Sequence, residues 1–340
     1  MDILHQLEIA WMLVLQSITA WLVLPMQLVT MLGQEEFYML VMPALYWSLD
    51  AGLGLRVGIL LLLGNQVNTI AKLAFHSPRP YWYDPRIKGL ASEASYGLPS
   101  NHAQNAASIW GLLAVSIRQT WVRVILGILI FLIGLSRIIL GVHFISDVVI
   151  GWAFGGLLLW LFLKLEKPVA GWLRARTLPE TLGIILASTA LLIGLVLLTS
   201  AATGDQPIPS AWTQNALISQ PDSSAINPRD ISGAFTIAGT WLGLLSGVAW
   251  LYHHQGGLKT SGTPGQRILR YLVGAAGVFV LYYGLGTVFP RNADVLSYSL
   301  RLIRYTLVGL WISAVAPLVF ARLGLVQKPS SEQIDPLSAR

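Results

Sequence analysis

The sequence predicts an all-α protein that crosses a membrane many times: a bundle of about ten helices, six forming one core and about four more following it. Three observations carry that prediction. Hydrophobic residues make up 54% of the chain and charged residues only 11%, roughly half the charged share of a soluble domain. Several apolar runs reach the ~20 residues that a helix needs to cross the hydrocarbon. The apolar–polar alternation of a membrane β-barrel strand is missing.

In chain order the runs fall near 9–31, 37–50, 53–75, 101–118, 121–141, 144–164, 181–201, 231–252, 268–289 and 302–323. The first is too long for a signal-peptide core and has neither a basic leader nor a small-residue cleavage site, so it reads as a retained span. The second is short and interrupted by Pro43, which predicts a tilted, broken or re-entrant segment. The third carries Asn65, Asn68, Thr69 and Lys72 on one helical face, which must point into the bundle because amides in lipid lack partners. Hydrogen bonding between helices is the simplest use of that face.

The loop from Ser77 to Pro99 holds Tyr81-Trp82-Tyr83, then Asp84, Arg86, Lys88 and Glu93. Its aromatics are expected to anchor the membrane interface in preference to touching a substrate. The next run opens at Pro99-Ser100-Asn101-His102, a helix start with Ser100 as N-cap. Gly141 breaks the chain between the fifth and sixth predicted spans of this set. After residue 177 four further runs carry no polar island. Gly239, Gly243 and Gly247 form a small-residue ridge, read first as packing within the chain and second as a face for a homo-oligomer. The adjacent His253 and His254 point in different directions and make a poor metal pair. The domain division expected is a core over 1–165, additional transmembrane helices over 166–326, and a polar, loose tail over 327–340.

The formal charge is +6, but the basic residues sit at helix ends and form no stripe, so nucleic acid is set aside in favour of membrane topology. Placing Arg56, Arg118, Arg123, Lys164, Lys167, Arg174, Arg176, Lys259, Arg267 and Arg270 on one side makes that side cytoplasmic. The 76–100 and 202–230 loops then face outward. With no cysteine, neither a disulfide nor a thiolate metal site can form.

Three polar islands land on that outer face: Lys72 to Pro80, Pro99 to His102, and Ser136 to Asp147. His143 and Asp147 stand four apart on one helix face, so the carboxylate can accept from one ring nitrogen and leave the other as a free lone pair. That prepares a nucleophile or a base. Gly141 allows Arg137 to fold back beside it. The first turn after Ser100 offers backbone N–H groups to an anion, with His102 placed to give a proton to a leaving oxygen. Lys72 acts as a point charge and Arg79 as a fork toward the same anion. Each residue taken singly has a plain alternative: a snorkelling lysine, a headgroup-bound arginine, an incidental histidine after a cap.

Together the islands resemble the three-part signature of the type 2 phosphatidic acid phosphatase superfamily, whose pattern is Lys-x6-Arg-Pro, Pro-Ser-Gly-His and Ser-Arg-x5-His-x3-Asp. The chain meets it with Lys72, Arg79 and Pro80; with Pro99, Ser100 and His102; and with Ser136, Arg137, His143 and Asp147. Asn101 stands where the family has glycine, and its side chain is expected at the phosphate mouth. The match covers roughly residues 1–165. The resemblance implies a lipid phosphatase in which His143 attacks phosphorus, Asp147 orients it and His102 protonates the departing oxygen. Lys72, Arg79, Ser100, Asn101 and Arg137 then hold the phosphate, with no metal or other cofactor. The implied partners are a lipid phosphate and membrane lipids, in a bacterial inner membrane with the site facing outward. A phosphotransferase using the same site is the nearest alternative, and a lipid transporter the competing class. Spans seven to ten argue against a transporter, since they lack paired discontinuous helices and mid-membrane ionisable residues.

Overall fold

The computed structural model describes residues 2–204, 206–222, 225–290 and 292–326; the predicted loose tail lies outside these. In order the helices are α1 (Asp2–Ile18), α2 (Val23–Met31), α3 (Glu35–Ala44), α4 (Ala51–Phe75), α5 (Pro80–Tyr83), α6 (Asn101–Asn105), α7 (Gly111–Ser116) and α8 (Thr120–Ile139). They continue as α9 (Ile145–Arg174), α10 (Leu178–Thr203), α11 (Ser210–Ser219), α12 (Ser232–Gln255), α13 (Pro264–Phe279), α14 (Leu285–Val288), α15 (Val295–Leu310) and α16 (Ala316–Arg322). No strand occurs among the described residues.

Among the described residues seven helical segments are long and apolar enough to cross a membrane, and an eighth span is counted if the bent pair α1–α2 is one. The chain is thus an integral membrane protein, with fewer straight spans than the expected ten. Three runs account for the difference. The first bends by 78° at a short 3₁₀ turn, Ala20–Leu22. The second forms only α3, with Pro43 inside it, followed by a wide turn over Leu45–Leu49. The fourth is helical from Asn101 to Ser116 but interrupted by a wide turn at Ala106–Trp110. Such π-type turns recur at functional sites because they re-aim side chains without ending the helix.

Contacts divide the chain into two compact units. The first takes in the described residues of 1–39, 59–172 and 191–234, and the second those of 40–58, 173–190 and 235–326. The linear division at residue 165 does not coincide with them.

In the first unit α2 packs on α8 and α5 on α11. Tyr81, Trp82, Ile87, Tyr96 and Phe144 share its core with residues of α1 and α8. Tyr81 and Trp82 are 2% and 0% exposed, so they are core residues and not the interfacial anchors the sequence suggested. The amide face of α4 does bond between helices. Asn68 Nδ2 donates to Pro99 O at 3.2 Å and to Gln104 Oε1 at 2.9 Å. Gln104 Nε2 donates to Gly64 O at 2.7 Å, and Asn105 Nδ2 to Asn65 Oδ1 at 2.9 Å. Buried amides satisfied in this way fix one register between two helices, and here they hold the start of α6 beside the end of α4.

In the second unit Trp47 Nε1 donates to Ile312 O at 2.8 Å, and Trp311 Nε1 to Gly274 O at 2.8 Å. The ridge on α12 lies against α15 and the turn after it: a Cβ on Gly243 would come within 2.8 Å of Leu310 N, and one on Gly247 within 3.1 Å of Ala314 Cβ. The small residues therefore serve packing within the chain.

Candidate active site

Lys72 occupies the last turn of α4. The chain turns at His76, whose φ is +49°, and reaches Arg79, an extended residue that precedes Pro80 at the start of α5. Proline suits that first helical position because its missing N–H would be unpaired there anyway. Arg79 is wholly buried. Ser100 precedes α6 in extended conformation but its side chain makes no cap, contrary to expectation. Its backbone N–H donates instead to Asp147 O at 3.0 Å, which joins the second island to the third.

The third island depends on the end of α8. Gly141 has φ +72°, and a Cβ there would collide with the Lys88 carbonyl. Val142 N and His143 N both return to Arg137 O, at 3.1 and 3.3 Å. This left-handed helix stop satisfies an otherwise unpaired carbonyl and brings Arg137 beside His143. Glu8 then caps α9, accepting from Ser146 N at 2.7 Å and Ser146 Oγ at 3.1 Å.

Asp147 Oδ2 accepts from Phe144 N at 3.0 Å and lies 3.2 Å from His143 Nδ1. The carboxylate thereby favours the tautomer that carries hydrogen on Nδ1 and the lone pair on Nε2. That lone pair is not free: Arg79 Nη1 donates to it at 3.1 Å, while also donating to Val142 O at 2.9 Å. Burial, reinforced by Arg79 and Arg137, pushes the pKa of His143 well below the usual histidine range, so the ring in this turn between α8 and α9 stays neutral.

The remaining cations converge on the same place. Lys72 Nζ donates to Ser95 Oγ at 2.8 Å. Arg79 Nη2 lies 3.2 Å from that hydroxyl and 3.3 Å from Glu93 Oε2. Arg137 Nη1 donates to Thr30 Oγ1 at 2.8 Å, and its Nη2 pairs with Glu93 Oε1. Ser100 Oγ, His102 Nε2 and Arg137 Nε are buried without a hydrogen-bond partner. Unpaired buried polar atoms are costly, and donors and a histidine left so beside three cations suit an oxyanion ligand. Burial pushes the Glu93 carboxyl pKa up, but Arg79 and Arg137 outweigh it and hold it well below the usual carboxylate range.

Six of the eight expected site residues, Lys72, Arg79, Ser100, Arg137, His143 and Asp147, are thus joined directly or through one shared partner, and His102 lies within electrostatic reach of Arg137, Glu93, Lys72 and Arg79. Asn101 has a different engagement: its Nδ2 donates to Glu35 Oε1 at 2.9 Å. Sequence reasoning missed Glu93, Ser95, Thr30 and Glu35 as neighbours of the site. Glu93 carried one legible signal, as a carboxylate in the polar loop between the first two islands. Thr30 and Glu35 belong to a preceding segment whose placement no local pattern encodes.

Residues 53–169 match the family model described as the PAP2 superfamily, and residues 235–328 the model described as PAP2 superfamily phosphatase, transmembrane extension. Phosphatidylglycerophosphatase B of Bacillus subtilis (strain 168) is 33% identical over 94 residues, 25% of this chain and 46% of that protein. Sphingosine-1-phosphate phosphatase 2 of Mus musculus is 32% identical over 128 residues, covering 35% of this chain and 36% of that protein. The chain therefore aligns with less than half the length of these relatives. The crystal structure of the first transmembrane PAP2 type phosphatidylglycerolphosphate phosphatase from Bacillus subtilis aligns with a TM-score of 0.43 at 25% identity, over 50% of this chain and 89% of that one.

Proposed function

We propose, for a chain that belongs to the PAP2 superfamily, that it is a membrane lipid phosphatase acting on a phosphomonoester or diphosphate through a phosphohistidine intermediate. The observation that carries this is the meeting of His143, buried and oriented by Asp147, with Arg79, Arg137 and Lys72 around one point. The chain's relatives, a phosphatidylglycerophosphatase and a sphingosine-1-phosphate phosphatase, support the substrate class, a phosphate on a lipid. Isoprenoid diphosphates, phosphatidate, phosphatidylglycerol phosphate and sphingoid phosphates all belong to it.

In the proposed first step Arg79 Nη1 moves from His143 Nε2 onto a phosphoryl oxygen, which uncovers the lone pair. His143 Nε2 attacks phosphorus, the bond from phosphorus to the lipid oxygen breaks, and His102 gives its proton to that oxygen. Ring charge that develops on His143 is balanced by Asp147. Water then attacks the phosphohistidine, with His102 taking the proton, and inorganic phosphate leaves. Lys72, Arg79, Arg137 and Ser100 hold the non-reacting oxygens and stabilise charge in both transition states. The asymmetry of Lys and Arg supports an extracytoplasmic face for this chemistry.

Purified protein should release phosphate from a short-chain lipid phosphate and, after rapid quench with labelled substrate, retain acid-labile phosphate. His143→Ala should abolish both. His102→Ala should slow phosphoenzyme formation, except with substrates whose leaving group needs no proton. Labelling that survives His143→Ala would remove it as nucleophile.

A further inference from the structure

The loop between the first two islands reaches into the site with its own acceptors. Glu93 spreads its two oxygens between the guanidinium groups of Arg79 and Arg137, and Ser95 Oγ takes the Lys72 ammonium. Three cations therefore each meet an oxygen from 93–95, in the arrangement a bound phosphoryl group would offer. The backbone behind them is fastened: Tyr81 Oη donates to Glu93 O at 3.1 Å and accepts from Glu93 N at 3.3 Å, and Arg79 Nε donates to Ser95 O at 2.6 Å. The Glu93 side chain is 23% exposed, so it can swing outward while its backbone stays in place.

We propose that Glu93 is a specificity-determining residue, an internal anion that a doubly charged phosphomonoester or a diphosphate displaces and a singly charged phosphodiester does not. The proposal rests on the lipid phosphatase reading and deepens it. Three cations at a membrane surface are surrounded by phosphodiester headgroups, each with one charge and present in great excess over any substrate. A self-ligand lowers the apparent affinity of every external anion by the fraction of time the site is open. Ligands that bind weakly then fall below occupancy at their prevailing concentration. A phosphomonoester carries about −1.5 to −2 at neutral pH, and its stronger pairing with three cations overcomes the single carboxylate. The carboxylate also keeps buried cations from standing unpaired, which is strongly destabilising.

Vanadate binding measured by calorimetry on the purified protein separates this proposal from the reading beneath it. Glu93→Gln should tighten vanadate at least ten-fold, and Glu93→Asp should do the same, because the shorter arm keeps the charge but cannot span two guanidinium groups. Phosphatidylglycerol in mixed micelles should then inhibit phosphate release by Glu93→Gln while leaving the wild type unaffected. Unchanged vanadate affinity overturns the proposal, as does an effect confined to the Gln variant, which would mark a distant charge effect. Should the variants fail to fold, the wild-type protein with carboxyl-¹³C glutamate suffices: vanadate must shift a glutamate carboxylate band in the infrared difference spectrum, and a silent spectrum overturns displacement. Absence of both vanadate binding and phosphate release in the wild type would instead defeat the phosphatase reading.

Discussion

Asp147→Asn isolates the work of one charge. Asp147 Oδ2 receives both Phe144 N and His143 Nδ1, and an amide oxygen in the same position can accept both, so the geometry at the start of α9 is expected to survive. The negative charge is lost. While His143 is neutral that loss matters little, but as the nitrogen–phosphorus bond forms the ring gains positive charge next to a residue only 1% exposed. Two unit charges about 4 Å apart interact by roughly 4 kcal/mol at an effective dielectric of about 20. Nearly all of that is absent from the ground state, so it appears in the barrier and corresponds to about 10³ in rate. Rapid-quench measurement of phosphoenzyme formation should show this fall, with vanadate affinity changed far less because the cations that hold the anion are untouched. A phosphorylation rate within ten-fold of wild type would refute the assignment of Asp147 as the group that balances the ring charge.

Three further outcomes are expected. His143 is held neutral by burial and by Arg79 and Arg137, so phosphoenzyme formation should not lose half its rate at about pH 6.5, the ordinary histidine value; a loss centred there would contradict the environment described. The same depression means that the unfolded chain binds the extra proton first, so the contribution of His143 to stability is complete above about pH 6.5 and is lost as the pH falls below it, which thermal unfolding in detergent at pH 7.5 and 5.5 can follow. For orientation, Ser92 and Ser261 are both exposed in a chain without cysteine. Ser92→Cys should react with an impermeant thiol reagent applied to intact cells and Ser261→Cys should not; reversed labelling would put the site on the cytoplasmic side.

The sequence by itself determined the class, because apolar runs of membrane length leave a backbone only the helix as a way to satisfy its polar groups. It also singled out most of the residues proposed for the site. The spacing of His143 and Asp147 announced their pairing, although His143 lies in the turn before α9 and not on the helix itself, and Gly141 occupies a position of positive φ where a side chain would strain the backbone. Such local relations survive in any tertiary setting.

What only the tertiary structure decided are the relations between distant segments. The bend between α1 and α2, the burial of Tyr81 and Trp82, and the arrival of Thr30 on Arg137 and of Glu8 on Ser146 depend on which helices pack together. Periodicity in one segment says which face is apolar and nothing about what covers it. The partner of Asn101 was likewise hidden, since Glu35 lies 66 positions away and a side chain chooses among rotamers by what surrounds it. The same holds for Glu93, which the sequence offered only as one charged residue of the loop between the first two islands. Folding turns it back onto Arg79 and Arg137, where the unfavourable burial of two guanidinium groups without a counter-ion gives its carboxylate a place in the site.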